Sequence, residues 1–372
     1  MHKYEFPAGT QHNVGIVGAR GYSGLELARL LLGHPAVKLG ACFATDPAAF
    51  KLGNEIFAPE ADAVPTLPMA ALEATDLANS FHTIFLATPA EVSLELAPKL
   101  VAKGVNVVDL SGAFRLSAAD YPKWYGFEHT QTAALASAQY GLVPFAKPFA
   151  KEAGKGILVA NPGCYVTAVL SALIPLVKSG VVATDTIVVD AKSGTTGGGK
   201  KAAESLLFSE VDGECLPYKI GKHQHYPEIV KYLEAFGGAK TSPFFSTSLL
   251  PTPRGIIAGI YANLSPGKTE ADVKAAFAEA YAGYPLAKVS TLAATPKIAM
   301  LKQVVGSNAV NIGFTVAEGK LYLYSTIDNL LKGAASQAVE NFNRIVDLPV
   351  AMGLVPYKNN QTSTSSSQQE KA

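Results

Sequence analysis

A chain of 372 residues that is 48% apolar has enough material for two or three packed domains, which excludes general disorder. Its 31 basic and 30 acidic side chains nearly cancel, to a formal net charge of +1, so there is no electrostatic case for nucleic acid or an anionic membrane as partner. Three cysteines, odd and sparse, make no disulfide framework and point to a reducing compartment. No apolar leader follows a basic start, and the longest apolar run is interrupted by Pro175 and falls short of the roughly 20 residues that span a bilayer. The expectation is a cytoplasmic protein.

Along the chain, residues 1–12 carry no pattern, and the polar, low-complexity tail from Lys358 resembles a disordered segment. Between them "NVGIVG" reads as a strand, "SGLELARLLLGH" as a helix with one apolar face, and "VKLGACFA" and "TIFLAT" as strands. "EVSLELAPKLVAKG" is a further helix and "NVVDLS" a further strand. This alternation predicts a mainly parallel, doubly wound sheet. After Cys164 the runs "TIVVDAKSG", "FFSTSLLP", "GIIAGIYANLS", "AVNIGFTVAEG" and "KLYLYSTI" follow with turn signals, which predicts a largely antiparallel sheet in an α+β domain. "NLLKGAASQAVENFNRIVDL" reads as one long closing helix. The division expected is a dinucleotide-binding domain of 13–163 and 330–357 and a second domain of 164–329, with 1–12 and 358–372 as disordered tails.

The first strand runs into "VGARGYSG", where Gly18, Gly21 and Gly24 recur every third residue before a helix. Backbone N–H groups at such a turn hold a pyrophosphate only where no Cβ blocks the approach, so the loop reads as a dinucleotide cradle, with a plain tight turn as the other reading. Asp46 follows the second strand, roughly 20 residues past the last glycine, where a carboxylate binds the ribose hydroxyls of NAD. Arg20, inside the glycine loop, instead suits the 2′-phosphate of NADP. Asp46 can equally be a solvated turn residue ahead of Pro47.

In "VANPGCYVTAVLSALIPLV" the turn triplet Asn161-Pro162-Gly163 precedes a densely apolar run, which places Cys164 at the start of a buried helix. A helix N-terminus favours the thiolate, the nucleophilic form. A buried structural cysteine is the alternative, as it is for Cys42 and Cys215. In "GKHQHYPEI", His223 and His225 stand two apart and share a face if the chain is extended, with Glu228 close behind. Histidine suits acid–base work near neutral pH; a surface pair is the other reading, and a metal pair lacks a third ligand. "KSGTTGGGKK" fits the glycine-lysine spacing of a P-loop through Gly194, Gly199 and Lys200, but Lys201 stands where serine or threonine is needed for magnesium. A backbone loop near a ligand fits it better. Arg115 in "LSGAFRL" and Arg254 in "PTPRGI" can each fork onto a phosphate or carboxylate, or serve as surface ion pairs.

Taken together, "GARGYSGLEL", "VVDLSGAFRL", "ANPGCYVTA", "VDAKSGTTGGGK", "GKHQHYPEI", "PTPRGI" and "STIDNLLKGAASQAVENFN" resemble, in order, the N-acetyl-γ-glutamyl-phosphate reductase family within the semialdehyde dehydrogenases. The resemblance spans about Val14 to Pro356. It implies reduction of an acyl phosphate in arginine biosynthesis through a thioester on Cys164, with His225 as acid/base and His223 its nearest rival and a substrate neighbour. It further implies Arg115, Lys192, Glu228 and Arg254 as substrate or phosphate contacts and Asn329 as the nicotinamide contact. Tyr22, Ser23, Ser193 and Gly194 lie in the cofactor-facing motifs. NADP(H) is the implied cofactor, with NAD(H) as the alternative, no metal, and a homo-oligomer, dimer or tetramer, of Rossmann and dimerisation domains. Ala44-Thr45-Asp46 departs from the polar, Ser-Arg-like residues common after the second strand, Ala113 stands where an acidic residue is common, and "TTGGGK" is a variant loop. The competing readings are the homologous lysine-pathway reductase, aspartate-semialdehyde dehydrogenase and a non-catalytic dinucleotide sensor. A thiol hydrolase would have no use for the glycine loop.

Overall fold

The computed structural model describes residues 11–355. Residues 1–10 of the expected head and the whole expected tail from Lys358 lie outside that range. His12 belongs to the first strand, paired with Val37, because its backbone completes the ladder one residue before the apolar pattern begins.

The first domain is a seven-stranded sheet in the order β3-β2-β1-β4-β5-β7-β6, with every neighbouring pair parallel. Its elements are β1 (His12–Val17), α1 (Tyr22–Leu32), β2 (Val37–Ala44), β3 (Thr66–Pro68), β4 (Thr83–Leu86), α2 (Ala90–Ala102), β5 (Asn106–Asp109), β6 (Gln139–Tyr140) and β7 (Leu158–Ala160). Parallel strands need crossovers that cover both faces, and the apolar residues divide accordingly. Leu27, Ala28 and Leu31 of α1 pack with Val14, Ile16 and Phe85 on one face. On the other, Leu94, Ala97 and Leu100 of α2 pack with Ile84 and Leu86. The chain steps outward in opposite directions from β1, to β2 and to β4, so the crevice beyond their carboxyl ends is the topological switch point where ligands of such sheets bind.

The second domain opens with α3 (Cys164–Lys178), followed by β8 (Val188–Ser193), β9 (Leu216–Pro217), α4 (His225–Gly237), β10 (Phe244–Leu249), β11 (Ile256–Asn263), α5 (Glu270–Ala280), β12 (Ala287–Thr291), β13 (Val310–Ala317) and β14 (Lys320–Ile327). Helix α3 is buried on every side from Tyr165 to Val177, against Val189, Ala191, Ala258, Ile260 and Phe314 of the sheet and Ile229 and Leu233 of α4. The sheet order is β12-β13-β14-β11-β8-β10-β9. It is mixed: four neighbouring pairs are antiparallel, but β8–β10 and β12–β13 are parallel, because long connections, α4 among them, carry the chain back to the starting edge.

The single closing helix expected from the sequence is two pieces. A π-turn, Leu331–Ala335, precedes α6 (Ser336–Ile345), and Gly333 and Ala335 donate to carbonyls five residues back, at Asp328 and Leu330. Helix α6 returns to the first domain, where Ala338, Val339, Phe342 and Ile345 join the α1 face. The π-turn is locked by a fully buried ion pair. Lys332 Nζ lies 2.5 Å from Glu340 Oε1 and 2.5 Å from the Tyr284 hydroxyl, which donates to the other oxygen of Glu340.

Breaking a buried pair from one side leaves an uncompensated charge. Glu340→Ala should therefore lower unfolding free energy by about 3–5 kcal/mol in urea titrations, with the Lys332→Met, Glu340→Leu double variant recovering much of the loss. Equal stability of the single and double variants would contradict the charge-burial account.

Candidate active site

Strand β1 ends in the glycine loop, and each glycine there has its own steric reason. Gly18 has φ +86°, and a Cβ on it would overlap the carbonyl of Ala87 beyond β4. A Cβ on Gly24 would overlap the Gly18 carbonyl, so Gly24 lets α1 close onto the loop. Gly21 is the N-cap of α1; it offers no capping side chain, and no acidic residue sits in the first turn. The donors at Tyr22 and Ser23 thus begin a helix that no protein anion neutralises, the arrangement that receives phosphate. Arg20 is exposed beside it. Asp46, also exposed, accepts from the Ala48 N–H at 3.1 Å and caps the turn Pro47–Ala49, a local task that needs no ligand.

The thiol stands where the two domains meet. Strand β7 leads into Asn161, whose N–H donates to the Asp109 carbonyl at 2.9 Å. The Asn161 amide donates to the Ala334 carbonyl at 3.2 Å and accepts from Asn341 at 2.9 Å, which ties the turn to the closing segment. Arg115 Nε donates to the Asn161 carbonyl at 2.7 Å and its Nη2 to the Leu110 carbonyl at 2.7 Å. Gly163 then caps α3, and Cys164, half-buried, is the first residue of the helix, as the sequence predicts. The Gly163 N–H donates to Glu228 Oε1 at 3.0 Å, and the Tyr140 hydroxyl donates to the same oxygen at 2.6 Å. Arg115 Nη1 is 3.6 Å from the other oxygen of Glu228.

Two further glycines shape the surroundings of the thiol. A Cβ on Gly163 would overlap Nε2 of His225, so the imidazole lies directly against the residue before Cys164. A Cβ on Gly333 would come within 2.8 Å of the Cys164 Cβ, so the π-turn backs the cysteine from the other side. The histidines come together, though not in extended chain: His225 opens α4, and His223, in the preceding loop, accepts its N–H on Nδ1 at 3.1 Å. Their ring centroids are 4.8 Å apart, and the Tyr165 ring meets both edge-on.

Electrostatics set the resting protonation states. Burial pushes the Cys164 thiol up to about 11, overriding the helix N–H groups and the nearby Arg115 charge, which pull it down. Burial likewise lowers His223 to about 4, helped by Lys219, and holds His225 well below the usual imidazole range, helped by His223 and Arg115. At pH 7 the pair is a thiol beside a neutral imidazole, not the thiolate expected from the helix terminus alone.

Other expected contacts fall elsewhere. Glu228 is fully buried and holds the turn from behind, engaged by the Gly163 N–H and the Tyr140 hydroxyl. Lys192 pairs with Asp190 on the face of β8 opposite Ala191 and Ser193, because strand alternation sends it away from α3. Arg254 is engaged by Asp328 (Nε to Oδ2, 3.0 Å) and by Glu26 of α1 (3.1 Å), which consumes the fork expected to hold a phosphate. Asn329 accepts from the Gly255 N–H at 2.8 Å and donates to Thr196 at 3.0 Å, clamping two loops together. Ser193 donates to the Gly194 carbonyl, and a Cβ on Gly194 would come within 2.7 Å of the backbone at Pro253 and Arg254. Tyr140, Asp328 and Gly333 join the site without a sequence signal of their own, and Asn161, legible only as a turn residue, ties that turn to the closing segment. Asn161 and Gly333 lie inside the quoted motifs, and Asp328 precedes Asn329. Among the described residues no cluster could hold a metal, and no helix is long and apolar enough to cross a membrane.

Residues 13–153 match the semialdehyde dehydrogenase NAD binding domain, and residues 164–329 match the semialdehyde dehydrogenase dimerisation domain. The class is thus that of the semialdehyde dehydrogenases, two-domain oxidoreductases, which agrees with the nucleotide-type crevice and the junction thiol. An N-acetyl-gamma-glutamyl-phosphate reductase of Geobacillus stearothermophilus is 43% identical over 346 residues, 92% of this chain and 97% of that protein. One of Brevibacillus brevis is 39% identical over 344 residues, 92% and 97% of the two chains. The chain belongs to the N-acetyl-γ-glutamyl-phosphate reductase family. Among solved structures, aspartate semialdehyde dehydrogenase II of Vibrio cholerae superposes with a TM-score of 0.68 at 18% identity, over 91% of this chain and 99% of that one. Aspartate semialdehyde dehydrogenase of Candida albicans, solved with NADP, gives 0.65 at 15%, over 91% and 99%. At such identities the likeness is one of fold.

A methyl on Gly163 must displace the His225 ring. Gly163→Ala should keep the circular dichroism of the parent and lose about 10²-fold in turnover, the scale of a 1 Å misplacement; unchanged turnover would separate the imidazole from the chemistry. In the unliganded protein, the rate of Cys164 alkylation by iodoacetamide should keep rising with pH toward about 11, since only the thiolate reacts. A midpoint near pH 8.5, that of an ordinary cysteine, with a plateau by about pH 10, would contradict the elevated thiol.

Proposed function

We propose that this chain reduces N-acetyl-L-glutamyl 5-phosphate to N-acetyl-L-glutamate 5-semialdehyde and phosphate with NADPH, a step of arginine biosynthesis, through a thioester on Cys164. The observation that carries the reading is the placement of a half-buried thiol at the first residue of α3, with a neutral imidazole packed against the glycine before it.

The chemistry follows from the protonation states. His225, neutral at rest, takes the thiol proton as Cys164 sulfur attacks the acyl carbon. The carbon–sulfur bond forms, the carbon–oxygen bond to phosphate breaks, and phosphate leaves with the bonding pair and takes up one proton from solvent. The positive charge created on the imidazole is costly in this buried place, so it is a strong proton donor. When bound, the cofactor supplies a hydride to the thioester carbon. His225 gives its proton to the oxygen that becomes negative, and takes it back as the thiohemiacetal collapses. Cys164 then leaves as thiolate and recovers the proton, which closes the cycle. Arg115, fixed in its charged form by Glu228, lowers the cost of thiolate and oxyanion alike.

The residues present fit the cofactor. The uncapped start of α1, with Gly18, Gly21 and Gly24 admitting close approach, would hold the pyrophosphate with Tyr22 and Ser23 donors. Arg20 would meet a 2′-phosphate, while Asp46 has one oxygen taken up in capping the turn Pro47–Ala49. His223 stays close enough to contact substrate, while Glu228 and Asn329 act as positioning residues. Assembly is a homo-oligomer, dimer or tetramer, through the second domain.

Cys164→Ser should abolish NADP-dependent, phosphate-dependent oxidation of N-acetylglutamate semialdehyde, while Cys42→Ser and Cys215→Ser remain active. His225→Asn should lower turnover by about 10²-fold or more, and His223→Asn by less. Higher efficiency with aspartate semialdehyde than with N-acetylglutamate semialdehyde would overturn the substrate assignment.

A further inference from the structure

We propose that Lys200, on the second domain, is a cofactor-binding residue that reaches across the domain junction to a phosphate of the bound nucleotide. The inference rests on the reading of the first domain as the NADP(H) site. Lys200 Nζ lies 5.4 Å from the centroid of the Tyr22 ring, and Tyr22 is the first residue of α1, directly after the Gly21 cap. A second-domain cation therefore hangs over the part of the first domain where the anion belongs.

The loop that carries it has a fixed root and an open tip. At the root, Gly194, Thr195 and Thr196 donate to the carbonyls of Gly255, Thr252 and Pro253 at 2.9, 2.9 and 3.1 Å, and Asn329 donates to Thr196. At the tip, Gly199 has φ +78° with open space where a Cβ would stand. The ammonium is weakly partnered in the protein. Glu55 Oε2 is 3.9 Å away, and both side chains are more than a third exposed, so the pair adds little stability. Cation–π contact between an exposed ammonium and the half-buried Tyr22 ring is similarly weak. A phosphate seated on the uncapped helix start offers a stronger, charge-assisted partner within the swing of a lysine side chain. Cofactor binding then draws the second-domain loop onto the first.

Fluorescence titration of the full chain with NADPH and with NADH tests this without turnover. Lys200→Met should weaken binding by about fivefold to tenfold, and Lys200→Arg should stay within about twofold of the parent. Lys201→Met, which removes an exposed neighbouring charge, should change nothing. Equal losses for both nucleotides assign Lys200 to the pyrophosphate, and a loss confined to NADPH assigns it to the 2′-phosphate. Parent protein that binds while Lys200→Met binds both nucleotides unchanged overturns the role of Lys200 alone, as does a matching loss in Lys201→Met. Parent protein that binds neither nucleotide overturns the cofactor reading, and this proposal with it.

Discussion

The carboxylate of Glu228 accepts the Gly163 N–H and the Tyr140 hydroxyl on one oxygen and faces Arg115 on the other, with no exposure to solvent. That one buried anion joins α4, β6 and the turn before α3, and Arg115 extends the joint to the Asn161 carbonyl. A charge in such a place needs its partners held close: one oxygen takes two hydrogen bonds and the other relies on the Arg115 charge, so the groups around it have little freedom to move independently. The thiol and the imidazole inherit this rigidity. Cys164 follows Gly163 directly, and His225 lies one helical turn before Glu228 on the same helix, so the carboxylate holds both side chains from behind.

The same burial explains why the resting site is quiet. A low-dielectric setting raises the thiol and lowers the imidazole, leaving both neutral. Arg115 opposes the first effect and strengthens the second, so its charge favours negative charge on the sulfur and disfavours a proton on the imidazole. The helix terminus contributes in the same direction, but alone it does not ionise the thiol. Under the proposed function, activation belongs to the encounter with substrate and to a neutral imidazole able to take the thiol proton.

Much of this was legible in the residues, and what was not has physical causes. The parallel sheet, the glycine loop, the start of α3 at Cys164 and the return of the closing helix are written in local periodicity and turn chemistry. The fate of the charged side chains was not. Lys192 and Arg254 have the right chemistry for a phosphate, but strand alternation directs one to Asp190, and Asp328 with Glu26 captures the other. Glu228 read as a contact because its spacing to the histidines is visible, whereas its burial depends on Tyr140 and Gly163, 88 and 65 residues away. The π-turn was hidden because its composition suits an ordinary helix. Only the placement of Gly333 against Cys164 shows what it does.

That π-turn is also where the two domains are made interdependent. It packs against α1, the helix that begins at the nucleotide cradle, and against α3, the helix that begins at the thiol. Asp328 caps its entry by accepting the N–H groups of Leu330 and Leu331, and Arg254 holds Asp328 while reaching Glu26 on α1. Lys332 anchors its middle in the buried pair with Glu340. A shift of α1 must therefore move Asp328 or break its bonds, and a shift of Asp328 must move Gly333 off the Cys164 Cβ. Under the proposed function, hydride transfer requires cofactor and thioester to be held in register, and the segment between their sites is braced by Asp328 at its entry and by the Lys332–Glu340 pair at its middle.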